Sequence, residues 1–151
     1  MRLTHYTNYA LRTLMYAAMR GPDLVRVQDV SDAYGISRAH LVKCVHQLGL
    51  WGYLENVRGR NGGFRLARAP AVITVGEIAR KTEDCQDLVE CFNPAVNTCP
   101  MVTVCRLKTT FQRAQLAFMA VLDDVTLADL VANAHELAPL IGLDRAELAA
   151  E

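Results

Sequence analysis

YGISRAHLVKCVHQLGLWGYLENVRGRNGGFRLAR, residues 34 to 68, changes its hydrophobic period halfway along. Gly35 supplies a turn and Ser37 an N-cap for a helix over RAHLVKCVHQL that ends near Gly49. Leu41, Val45 and Leu48 recur at helical spacing and face inward, leaving Arg38, His40, Lys43 and Gln47 on the outer side. Cys44 falls among the inward positions and reads as a small apolar filler. Beyond the helix, a short apolar strand at Tyr53 and Leu54, a turn at Asn61-Gly62-Gly63 and a return strand from Phe64 to Leu66 predict a hairpin.

Working outward, Val27 to Tyr34 forms a shorter helix that meets the Gly35 turn, so the two helices make a helix-turn-helix. Before them, THYTNYALRTLMYAAMR (4–20) repeats apolar groups at Tyr6, Ala10, Leu14 and Ala17, with Gly21-Pro22 as its stop. Three helices followed by a hairpin are a winged helix. The wing carries Arg58, Arg60, Arg65 and Arg68, with Asn61 at its tip, and no acid falls between Glu55 and Glu77. Of these, Arg58, Arg60, Asn61 and Arg65, with Ser37, Arg38, His40, Lys43 and Gln47, are the expected DNA-binding set: the helix for the major groove, Ser37 and the arginines for phosphates.

Charge supports that division. Formal net charge is zero, yet residues 1–70 hold ten Lys or Arg against four acids and residues 71–151 hold six against twelve. The basic half is suited to a polyanion. A chain of 151 residues, 52% hydrophobic and 21% charged, buries a core without needing disulfides. No apolar run approaches the ~18 residues of a membrane span, and no signal peptide opens the chain, so a cytoplasmic protein is expected. Neither a nucleotide-binding loop nor H-E-x-x-H occurs, and no enzyme is expected.

After a short helix from about Thr74 to Lys81, four of the five cysteines follow: Cys85, Cys91, Cys99 and Cys105, spaced C-x5-C-x7-C-x5-C. In a reducing compartment such a group binds metal or does redox chemistry. Structural zinc sites favour C-x2-4-C pairs, absent here, whereas wide spacing in a loop with Pro94 and Pro100 suits thiolates around an iron–sulfur cluster; zinc stays open on spacing alone. The next helix, CRLKTTFQRAQLAFMAVL, aligns Leu107, Phe111, Ala114, Phe118 and Val121 in a stripe for its own domain or for a dimer seam. Asp123-Asp124 ends it, VTLADLVANA forms a short helix, and HELAPLIGLDRAELAAE reads as a helical, peripheral tail.

LTHYTNYALR (3–12), YGISRAHLVKCVHQL (34–48), VRGRNGGFRL (57–66), VECF (89–92), Cys99, CRL (105–107) and LADL (127–130) together resemble the NsrR type of nitric-oxide-sensing iron–sulfur winged-helix repressors, a family that also includes IscR. The resemblance covers nearly the whole chain. It implies a homodimer on a palindromic double-stranded operator, holding a [4Fe-4S] cluster (alternatively [2Fe-2S]) through Cys91, Cys99 and Cys105. It further implies that nitric oxide nitrosylates or removes the cluster and so releases DNA upstream of detoxification genes. The family's fourth ligand is a carboxylate on the first helix of the other subunit, and Asn8 of the partner subunit stands at that position here. A neutral amide is a weaker iron ligand. Asn8 or an exchangeable small ligand ranks first, then Cys85, then His5, which shares a helix face with Asn8 and Arg12. The alternatives are a cluster-status or redox regulator of IscR type and a thiol- or zinc-based DNA-binding regulator.

The expected architecture is therefore mainly α with a small β-wing: a winged helix-turn-helix over 1–70, a short helix and cysteine loop over 71–105, a dimerisation helix and short helix over 106–135, and the tail over 136–151.

Overall fold

The protein is described by a computed structural model covering residues 3–83 and 87–148. Helix α1 (His5–Arg20) starts at Thr4, whose hydroxyl accepts the Thr7 amide at 3.3 Å, and stops at Gly21, where φ is 62°. Helix α2 (Val27–Tyr34) ends at Gly35, also left-handed, and α3 (Arg38–Leu50) follows after the turn. Ser37 holds the N-cap position of α3 through its carbonyl, which accepts from His40 and Leu41; its side chain makes no capping bond. Strands β1 (Leu54–Val57) and β2 (Gly63–Leu66) pair antiparallel, Leu54 opposite Leu66 and Val57 opposite Gly63.

The hairpin differs in detail from its sequence reading. Tyr53 lies buried ahead of β1 and is not a strand residue. The tight turn is displaced to Gly59–Gly62, where the Gly62 amide donates to the Gly59 carbonyl at 3.0 Å and Gly59 has φ 114°. Gly62 and Gly63 have ordinary φ values; they are required for room. A Cβ on Gly62 would overlap the Val57 carbonyl, and one on Gly63 the Val25 carbonyl. That second approach lets Val25 and Phe64 exchange backbone bonds of 2.8 Å each, which docks the wing onto the segment before α2.

Helix α4 (Val75–Thr82) is capped by Thr74. From its end the chain leaves the core, passes the cysteine loop and returns along α5 (Arg106–Asp123) to α6 (Leu127–Leu130). The return is tied: Val75 donates to the Val125 carbonyl and Leu127 to that of Ile73, at 2.9 and 2.8 Å, while Arg80 grips Asp123 through two bonds of 2.6 and 2.5 Å. One apolar core joins Leu14, Leu41, Leu48, Phe64, Ile78 and Leu127. The tail, expected to be peripheral, belongs to it. Helix α7 (Ala134–Leu140) buries Ala138, Leu143 follows into the same core, and Glu147 meets Arg20 of α1 at 2.5 Å. Pro139 and Gly142 interrupt its apolar spacing, so the local pattern does not show which tail residues meet the core.

Candidate nucleic-acid interface and cysteine loop

Helix α3 presents two unlike faces. Leu41, Cys44, Val45 and Leu48 are buried, whereas Ser37, Arg38, His40 and Lys43 are exposed and Gln47 is half-buried. The His40 ring stacks on Tyr9 with centroids 5.9 Å apart, and Tyr9 stacks in turn on His5 at 6.1 Å. One aromatic file thus runs from the first turn of α1 to the first turn of α3. Burial leaves the Cys44 thiol pushed up to about 12, so it stays protonated and inert in the core.

On the wing, Arg58, Arg60 and Asn61 are exposed around the turn. The other two arginines are engaged. Arg65 forms a two-pronged ion pair with Glu55 across the strands, at 3.0 and 3.1 Å. Arg68 reaches Glu77 of α4 at 2.7 Å and the Val72 carbonyl at 2.8 Å, and lies 5.5 Å over the Tyr53 ring. Partial burial would raise the Glu77 carboxyl, but the Arg68 guanidinium and the Tyr53 hydroxyl outweigh it and hold Glu77 below its ordinary value of 4.5. Arg68 therefore fastens the wing's base to α4.

The cysteine loop enters through another carboxylate. Glu83, at the end of α4, accepts from the Thr4 amide at 2.8 Å, the Thr4 hydroxyl at 3.0 Å and the Thr7 hydroxyl. Thr7 and Thr82 are buried and bonded to one another at 2.7 Å. The start of α1 is thereby locked to the mouth of the loop. Cys91 lies in a short 3-10 turn over Glu90–Phe92, Cys99 donates its amide to the Asn97 side chain at 3.1 Å, and Cys105 is the N-cap residue of α5. The Thr98 hydroxyl spans the loop to Glu90 at 3.4 Å, linking the neighbours of Cys91 and Cys99. All three thiols are free and half-buried.

A family model for Rrf2, described as an iron-dependent transcriptional regulator, matches residues 3–133. The HTH-type transcriptional regulator NsrR of Bacillus licheniformis is 44% identical over 142 residues, 93% of this chain and 99% of that protein. NsrR of Halalkalibacterium halodurans is 46% identical over 144 residues, 95% of this chain and 99% of the relative. The chain is an NsrR-type member of the Rrf2 family. Its fold agrees: the global cysteine regulator CymR of B. subtilis superposes with a TM-score of 0.71, at 24% identity over 88% of this chain and 98% of that one.

As an Rrf2 regulator the protein is a DNA-binding transcription factor and not an enzyme. The donor chemistry of its loop fits an iron–sulfur cluster: three accessible, unpaired thiols on one segment, outside the core that neutralises Cys44. Among the described residues no three His, Cys, Asp or Glu side chains are grouped so as to hold a metal ion. Of the fourth-ligand candidates, Asn8 is exposed on α1, His5 is stacked on Tyr9, and Cys85 lies outside the described residues. Arg12, on the same face, lies 5.5 Å over Tyr34. Sequence reading did not register Glu83 as a clamp: one acid among several near the loop carries no signal until folding brings α1 beside it.

No helix among the described residues is long and apolar enough to cross a membrane. Helix α5 is unusual in another respect. None of its 18 residues, all described, is buried. Leu116 is 70% exposed, and Val104, just before the helix, 82%. Of the expected stripe, Phe111 and Phe118 are half-buried while Leu107, Ala114 and Val121 stay open to solvent.

Proposed function

We propose that the protein is a cytoplasmic, homodimeric repressor that holds an iron–sulfur cluster of [4Fe-4S] type and releases a palindromic operator when nitric oxide reaches it. The observation that carries this reading is the trio of free, half-buried thiols, Cys91, Cys99 and Cys105, on the loop of a chain that matches NsrR proteins almost end to end. An iron–sulfur cluster, when bound, supplies iron centres that react with nitric oxide. The three cysteines supply its thiolates, and Asn8 of the partner subunit the fourth side, ahead of Cys85 and His5.

The remaining work is done by the chain. Cys91, Cys99 and Cys105 would hold the group along a loop that Thr98 already ties to Glu90. Glu83, where the loop begins, grips Thr4 and Thr7 of α1, and α1 meets α3 through the Tyr9–His40 stack, so a change in the loop would have a path to the DNA-reading helix. At the other end, Cys105 starts α5, whose open apolar side chains form the dimer seam. Loop order therefore sets both the attitude of α3 and its separation from the partner's copy, the two quantities that a palindromic site reads. Arg38, His40, Lys43 and Gln47 then face the major groove. Ser37, Arg58, Arg60, Asn61 and Arg65 face phosphates. A hundredfold change in operator affinity needs only about 2.7 kcal/mol of difference between the two loop states.

Single Cys91→Ser, Cys99→Ser and Cys105→Ser variants test the assignment. Each is expected to lose iron and nitric-oxide-responsive DNA binding while keeping a wild-type circular dichroism spectrum. Variants that retain iron and response overturn it.

A further inference from the structure

The outward face of α3 carries a feature that charge and hydrogen bonding leave unexplained. The buried apolar residues of this helix are 8% exposed or less, whereas Val42 is 45% exposed. At about 100° per residue it stands in one row with Arg38 and His46, a turn away on either side, with Ala39 three positions before it and Lys43 next to it. All of these neighbours are exposed. A β-branched residue is a poor helix former, so an open helical site gains nothing from it in the free protein. Ala39 and Val42 form a small apolar spot bordered by Arg38 and Lys43. The surface complementary to such a pattern is anionic at its borders and apolar at one point within. The DNA major groove has that character: phosphates line its edges, and the one apolar group on its floor is the thymine C5-methyl.

The geometry points to Val42 as a base-reading residue whose isopropyl group packs on the C5-methyl of one thymine in each operator half-site. The assignment rests on α3 being the DNA-reading helix and adds a base and a chemical group to that reading. No hydrogen bond is involved, so the preference is for the methyl itself.

Replacing thymine by deoxyuridine removes only that methyl and keeps every donor and acceptor. The probe is a duplex selected from a random pool by the wild-type protein, with each thymine replaced in turn. At one thymine per half-site the replacement is expected to weaken wild-type binding by roughly threefold to fivefold, the worth of one buried methyl. The same replacement leaves Val42→Ala binding unchanged. On the thymine duplex, Val42→Ala itself binds more weakly by a similar factor with an unaltered salt slope. The inference is overturned if no replacement weakens the wild type, or if the penalty persists in Val42→Ala. Failure of the wild type to select any duplex would instead remove the DNA-reading role of α3 on which it depends. Val42→Ala places a better helix former at an exposed site, so its fold is retained, as its thermal melt will show.

Discussion

Arg60 and Arg65 differ in position by five residues and in electrostatic state by much more. Arg60 stands exposed at the wing's turn, while Arg65 is neutralised by Glu55 in the free protein. Counterion release counts only charge delivered to phosphate. Arg60→Ala is therefore expected to lower the slope of log affinity against log salt by about one. Glu55→Gln, which frees Arg65, is expected to steepen it. Filter-binding titrations across salt concentrations read both, and an Arg60→Ala slope equal to wild type would take Arg60 out of the phosphate contacts. From sequence Arg58, Arg60 and Arg65 read alike as phosphate contacts, with Arg68 on the same wing. What separated them was strand register, which sets Glu55 opposite Arg65, and the packing of α4, which brings Glu77 to Arg68.

At the scale of elements, the wing is held at two points, the Val25–Phe64 exchange and the Arg68–Glu77–Tyr53 contact. The second depends on pH. Because folding lowers the Glu77 carboxyl below its ordinary value, its contribution is present above that ordinary value and fades as pH falls through the folded one. Thermal melts are expected to show wild type more stable than Glu77→Gln at neutral pH, with the gap closing below about pH 5. A gap independent of pH would show that the carboxylate's charge is not what matters. Most elements were legible in advance: α1, α2, α3 and α4 fall where apolar period and turn or cap residues put them, since Thr74, Gly21 and Gly35 are local signals. The hairpin turn was misplaced because Gly62 and Gly63 look like turn residues, yet serve close approach to Val57 and Val25. Contacts between distant segments leave no trace in local pattern. The same reason hid the burial of Ala138 and Leu143 in the tail.

For the whole molecule, a winged helix on a shared core is joined at both ends of an excursion, by Glu83 at the loop's mouth and by Arg80–Asp123 at the foot of α5. That excursion carries the thiols and the exposed apolar helix. Val121→Arg, at an exposed position of the α5 stripe, is expected to give a monomer by analytical ultracentrifugation, with an unchanged helical spectrum and markedly weaker binding to a palindromic duplex; a variant that remains dimeric would move the seam off this face. The cysteines themselves were plain in the sequence, but the contacts that join the loop's mouth to α1 and α1 to α3 were not, because they are tertiary contacts of Thr4, Thr7 and Tyr9. The most direct test is anaerobic purification with iron and sulfide quantitation, followed by stepwise nitric oxide during an operator-binding titration. Bound iron and sulfide, a broad absorption near ~400 nm from thiolate-ligated clusters, and operator release in step with its bleaching are expected. Tight operator binding by iron-free protein, indifferent to nitric oxide, would contradict the proposed sensing mechanism.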